Sequence, residues 1–259
     1  MSLRIVLVHG AATTPAVWDA LVPALHRRGL DDVEAVRRPC SGDLDVERDF
    51  IARRSEGAVV VGQSGGATLA LALAGIAAPV AGVLCHEPAV GSLLPALLAP
   101  VSAAYATGGV PAFGKALYGP TWSLADAGED PGSVTRELPM FRGFEPSANG
   151  LPAEATLVTV GERSPRIRHD AARALHDRLG YPWTFVSGAG HFVARDAPEA
   201  FADLIARQVA EIAANDTEKT AAAPQGRSFE PGSTTGRATA APVATVGTKG
   251  VRNDRIFDG

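Results

Sequence analysis

Apolar residues gather in short aliphatic runs at Leu3 to Val8, Val33 to Arg38, Ala58 to Val61, Val80 to Cys85, Thr156 to Val160 and Trp183 to Val186. Runs of that length bounded by turn residues predict buried strands. Between them, Val17 to Arg28, Leu44 to Arg54, Gly66 to Ala78, Ile167 to Leu179 and Pro198 to Ala214 carry apolar spacing suited to helices packed on a sheet, with Pro198 placed for a first helical turn. Strand and helix in alternation is the βαβ rhythm of a parallel sheet. The rhythm breaks between Glu87 and Pro152, where Pro and Gly interrupt Leu- and Ala-rich segments. A structureless loop of that length is uncommon in a compact domain, so 88–152 is expected to be an inserted helical cap over the ligand-bearing edge of the sheet. From Asn215 the composition turns to Thr, Ala, Gly, Pro and Ser, which cannot bury enough surface to offset ordering entropy. The expected architecture is α/β: a mostly parallel sheet flanked by helices in a core domain over 1–214, with that cap and a disordered C-terminal tail over 215–259.

Composition narrows the partners. With 259 residues, 46% hydrophobic and 20% charged, the chain can bury a full core, and its net charge of −4 gives no pull toward nucleic acid or an anionic membrane. The pairs Arg27-Arg28, Arg37-Arg38 and Arg53-Arg54 alternate with acidic residues such as Asp31, Asp32, Glu47 and Asp49 and read as solvated surface. Two cysteines, Cys40 and Cys85, are too few for a disulfide scaffold and are not spaced as a metal knuckle, which fits a reducing, cytoplasmic compartment. The apolar stretch at Ile5 to Val8 is too short for a signal-peptide core. The uncharged run Ala67 to Cys85 is long enough to span a bilayer, but Gly75, Pro79 and Gly82 break it, and a buried helix followed by a buried strand explains it better.

Chemistry concentrates at Gly62-Gln63-Ser64-Gly65-Gly66, directly after one strand run and directly before a helix. That is the G-x-S-x-G pattern in the context a nucleophile elbow requires: a sharp turn exposes the hydroxyl, and small neighbours let the backbones approach. A capping serine in a glycine-rich turn is the plainer alternative, and a phosphate loop lacks its Gly-Lys-Ser/Thr ending here. A serine hydroxyl needs a base to act at neutral pH. Among six histidines, His191 stands in Gly188-Ala189-Gly190-His191-Phe192, after the last strand run and before the last helix, the place for a histidine in Ser, acid, His order. His26, His169 and His176 read as surface. Gly65 N–H is a candidate donor for an oxyanion.

Through Leu7-Val8-His9-Gly10, the Ser64 elbow and the His191 loop, the sequence resembles the α/β-hydrolase family over roughly residues 3–214. The resemblance implies a serine hydrolase whose nucleophile, acid and histidine lie on loops at the carboxyl edge of the sheet beneath a variable cap. It also implies a second oxyanion donor at Ala11, with His9 bracing that loop. Two strands that many members carry ahead of the His-Gly motif have no counterpart in this sequence. A further departure concerns the acid: the family's Gly-x-x-Asp turn reads Gly161-Glu162-Arg163-Ser164. Glu87, at the end of the run Val80 to Cys85, is the preferred replacement, an alternative station used by some family lipases, with Glu162 and Asp170 as rivals. Arg163, Arg166 and Arg168 read as surface, or as an anion-binding patch if they face the cleft. Trp18, Tyr105, Phe113, Tyr118, Trp122, Met140, Phe141 and Phe144 supply either an apolar pocket or the core of the cap.

The expected activity is hydrolysis of a small carboxylic ester through an acyl-enzyme, with no metal and no cofactor and with a small molecule as the partner. Thioester, lactone or carbon-carbon bond hydrolysis, a biosynthetic tailoring step, and ligand binding without turnover remain open alternatives, as does the oligomeric state.

Overall fold

Each expected strand run becomes a strand, and all six pair in parallel. In the computed structural model, which describes residues 3–222 (side chains to 215), β1 (Ile5–Val8), β2 (Val33–Val36), β3 (Val59–Gln63), β4 (Gly82–His86), β5 (Thr156–Gly161) and β6 (Trp183–Val186) form one sheet in the order β2-β1-β3-β4-β5-β6. The register aligns Val8 with Gly62 and Gln63 with His86, so adjacent strands end at matching levels along one edge. The chain passes from β1 outward to β2 and then returns to β3 on the other side of β1. In open parallel sheets, such a reversal opens a crevice at the carboxyl ends of the strands. The loops after β1 and β3 flank that crevice.

Helices α1 (Leu21–His26), α2 (Leu44–Ala52), α3 (Gly65–Gly75), α6 (Arg166–Leu179) and α8 (Pro198–Ala222) alternate with the strands, and the short α7 (Val193–Asp196) precedes α8. Helix α3 is buried at every position from Gly65 to Ala74. A helix apolar all round belongs in an interior, and its glycines and alanines let it lie close to the sheet. The uncharged run Ala67 to Cys85 is thereby accounted for as α3 followed by β4. No helix among the described residues is long and apolar enough to cross a membrane.

Between β4 and β5 the chain builds α4 (Ala99–Tyr118) and α5 (Ser133–Arg142) with short 3-10 turns around them. Helix α4 breaks at Gly108 and Gly109, the latter at φ 61° and ψ −152°, just ahead of Pro111. That backbone is open essentially to glycine alone, and the proline removes a donor from the next turn, so a kink bends the helix over the sheet edge. The last helix runs past the expected boundary at 214 to Ala222. The segment expected as a disordered tail is therefore helical over 215–222, and the rest of it lies outside the described residues.

Candidate active site

Ser64 sits between β3 and α3 at φ 57° and ψ −121°. A non-glycine residue held there stores of order 1–3 kcal/mol of backbone strain. The glycines around it allow the turn: a β-carbon at Gly62 would lie 2.3 Å from Gly66 O, and one at Gly66 would lie 2.0 Å from Val8 O. Although Ser64 occupies the N-cap position of α3, its side chain makes no capping hydrogen bond. The capping alternative is thereby removed. Its N–H donates to His86 O at 2.9 Å, which ties the elbow to the end of the neighbouring strand.

Glu87 follows β4 and also has a left-handed backbone, φ 52°. Both carboxylate oxygens are engaged: Oε1 accepts from Gly161 N at 2.8 Å, and Oε2 lies 2.6 Å from His191 Nδ1. Because an ionised carboxylate only accepts, His191 carries its proton on Nδ1 and leaves Nε2 as the acceptor. That Nε2 is buried with no hydrogen-bond partner among the described residues. Burial pushes the Glu87 carboxyl up, but the His191 hydrogen bond and the nearby His86, His191 and Arg168 charges outweigh it, so the carboxyl stays ionised. Burial and the Arg168 charge hold the His191 imidazole below its usual value, against the pull of Glu87.

Neither rival acid reaches the histidine. Glu162 turns outward to accept from Ser187 Oγ and Gly188 N, both at 2.9 Å, and Asp170 pairs with Arg166 and Arg173.

The loop after β1 brings Ala11 to the elbow. Ala11 N lies 3.2 Å from the point a β-carbon would occupy at Gly65. Gly65 opens α3, so its N–H has no intrahelical partner. The two amides thus share one small space beside Ser64.

Several supporting residues were not visible in the motifs. His86 is fully buried, with Nδ1 3.0 Å from Thr159 Oγ1 and Nε2 3.1 Å from Gly190 O, and so holds the residue before His191. Gln63 Oε1 accepts from Ala194 N at 3.2 Å and pins the other side of that loop. The Tyr118 hydroxyl donates to Ala11 O at 2.7 Å, and its ring lies 5.3 Å from that of His191. Burial pushes the Tyr118 phenol up to about 12, opposed by hydrogen bonding to the Ser64 side chain. Trp122 Nε1 donates to Ala12 O at 2.9 Å. These two aromatics of the inserted segment brace the loop after β1, whereas Phe113 and Phe141 line the cavity and Trp18 belongs to the core.

Two arginines correct the surface reading. Arg38 is buried: its Nε donates to His9 O at 2.9 Å and its Nη2 to Gly10 O at 3.0 Å, while Nη1 contacts Glu47 and Glu137. Arg168 is buried at the cavity wall, 3.7 Å from Glu87, while Arg163 and Arg166 are exposed as expected. Their shared sequence neighbourhood hid this: of the three arginines, only Arg168 lies on the buried face of α6 with Ala171, Ala172 and Leu175.

Comparison with known proteins bears on the fold. No curated protein sequence matches the chain. Among solved structures, it is similar to a carboxylesterase of the thaumarchaeon Nitrososphaera gargenis at TM-score 0.61 and 12% identity, over 83% of this chain and 92% of that one. It is also similar to NosK from Streptomyces actuosus, at TM-score 0.56 and 22% identity over 80% and 97%. A third is the bottromycin epimerase BotH, at TM-score 0.57 and 17% identity over 81% and 91%. At such identities the likeness is one of fold. Residues 5–204, however, match the sequence model of the alpha/beta hydrolase family, and with the six-stranded parallel sheet and the elbow at its carboxyl edge they make this chain a member of that family.

Proposed function

We propose that the protein is a serine hydrolase that cleaves a small carboxylic ester through an acyl-enzyme. The observation that carries the reading is the Glu87–His191 hydrogen bond at the same sheet edge as the strained, uncapped Ser64. In the proposed reaction, His191 Nε2 takes the Ser64 proton as the oxygen attacks the ester carbonyl, and Glu87 stabilises the imidazolium that results. The Ala11 and Gly65 amides receive the negative charge developing on the carbonyl oxygen; each such donor is worth about 3 kcal/mol in the transition state. His191 then protonates the leaving alcohol, and a water activated by the same nitrogen releases the acid.

Ser64→Ala tests this directly. The variant should keep its circular dichroism spectrum and lose hydrolysis of 4-nitrophenyl butyrate by at least about a thousandfold, since removing a nucleophile leaves only binding and oxyanion stabilisation. A fluorophosphonate probe should label the wild type at Ser64 and leave the variant unlabelled. Turnover that survives the substitution rejects Ser64 as the nucleophile, and a wild type that resists the probe rejects the assignment and leaves a binding protein on this fold.

A further inference from the structure

The cavity beside Ser64 is small, about 30 Å³: α4 and α5 contribute an apolar wall of Val101, Phe113, Leu138 and Phe141, and Ser64, Thr68 and Glu87 line it from the sheet edge. Arg168 breaks that wall. Its side chain is only 8% exposed. Apart from Nε, 3.7 Å from Glu87 Oε2, it has no side-chain partner among the described residues. Glu87 does not satisfy it, because only Nε approaches that carboxylate and 3.7 Å is beyond hydrogen-bond distance. A guanidinium carries five donors in a planar fork, and the one side-chain contact of this one is a 3.7 Å approach to a carboxylate, longer than a hydrogen bond.

A purely structural role for Arg168 is a poor explanation. Its positive charge helps keep Glu87 ionised but also opposes the imidazolium that the proposed reaction must form at His191. The charged groups facing His191 are Glu87, Arg168 and His86. Once His191 is protonated, Arg168 and His191 are two cations around one carboxylate. An anion docked on Arg168 would fill the fork and cancel the excess charge.

We propose that Arg168 is a recognition site for a carboxylate carried by the substrate, so that the preferred substrate is a short acidic half-ester rather than a neutral ester. The inference rests on the serine-hydrolase reading above and adds the substrate class to it. A planar guanidinium matches a carboxylate through two parallel hydrogen bonds, and the small volume favours a short spacer between the carboxylate and the scissile carbonyl.

The experiment compares 4-nitrophenyl hydrogen glutarate with 4-nitrophenyl hexanoate, similar in length but without the charge, after subtraction of spontaneous hydrolysis. Charged hydrogen bonds of this kind correspond to about a tenfold to hundredfold preference in kcat/KM for the half-ester in the wild type. Arg168→Gln should abolish that preference, read as the ratio of the two kcat/KM values, so that any loss common to both substrates through Glu87 and His191 cancels. A wild type that shows no preference, or a variant that loses both substrates by the same factor, overturns the proposal. If Arg168→Gln is recovered unfolded, Arg168→Lys takes its place: a severalfold drop in the preference supports bidentate recognition, and an unaltered preference overturns it. Fluorophosphonate labelling of the wild type separates the two readings: a labelled Ser64 without substrate preference removes the carboxylate site and leaves the hydrolase, whereas an unlabelled one removes both.

Discussion

His191 can act as a base only if one nitrogen is committed and the other is free, and the side chains around it divide that work. Glu87 fixes the Nδ1 proton, His86 holds Gly190, Gln63 holds Ala194, and Nε2 is left open. Replacing Glu87 with glutamine keeps the shape but removes the charge and allows the wrong tautomer. Glu87→Gln should therefore lower kcat about a thousandfold or more, the scale of losing the acid from such an arrangement. Glu162→Gln and Asp170→Asn, which touch other partners, should stay within about twofold, inside the scatter of surface substitutions. Because burial and Arg168 hold the imidazole below the ordinary 6.5, His191 stays neutral well into mild acid. The acid limb of kcat/KM, which reports the free enzyme, should lie below that value, and a limb at or above it would contradict the environment described for His191.

At the level of elements, the inserted segment is wired to the loop it covers. Arg38, two residues past β2, donates to the carbonyls of His9 and Gly10 and pairs with Glu47 of α2 and Glu137 of α5, all three side chains fully buried. One guanidinium therefore joins the sheet edge, a flanking helix and the cap beside the Ala11 amide. Arg38→Ala would leave two buried acids facing each other and remove one donor each from the carbonyls of His9 and Gly10. Breaking such a network costs about 3–5 kcal/mol, so the urea midpoint should fall accordingly. The sequence could not reveal this, because Arg37-Arg38 reads as a charged pair whichever member turns inward. Periodicity did reveal the strands and flanking helices, since burial on a sheet leaves a pattern in the chain. Ser64, Gly65 and His191 were legible from their motifs. Glu87 was found only by its position at a strand end, and its backbone at φ 52° carries no sequence signature. Tyr118, His86 and Arg168 reach the site from segments distant in sequence, and pairings of that kind leave no local trace.

For the whole molecule, the same burial that serves the site makes the fold sensitive to acid. His9, His86 and His191 are all buried and all titrate below 6.5, burial being the largest cause in each. Between that value and their depressed native values the unfolded chain binds protons that the folded chain refuses. Stability therefore rises with pH through this window and is lost as pH falls through it. Glu137 works the other way: burial raises its carboxyl above 4.5 against the pull of Arg38, so the native state gains up to one proton as pH drops. The net uptake on unfolding is then between two and three protons, which corresponds to about 3–4 kcal/mol per pH unit at the steepest point. Urea denaturation at pH 7.5, 6.5, 5.5 and 5.0, values chosen roughly to bracket the ordinary histidine range, should show little change across the first step and a growing loss over the next two. Replacing His9, whose Nδ1 donates to Gly10 O, with glutamine should reduce that slope by about one proton, or about 1.4 kcal/mol per pH unit. An unchanged slope would mean that His9 does not contribute to the acid sensitivity; Glu87, whose lowered carboxyl loses its contribution only below 4.5, does not act in this range.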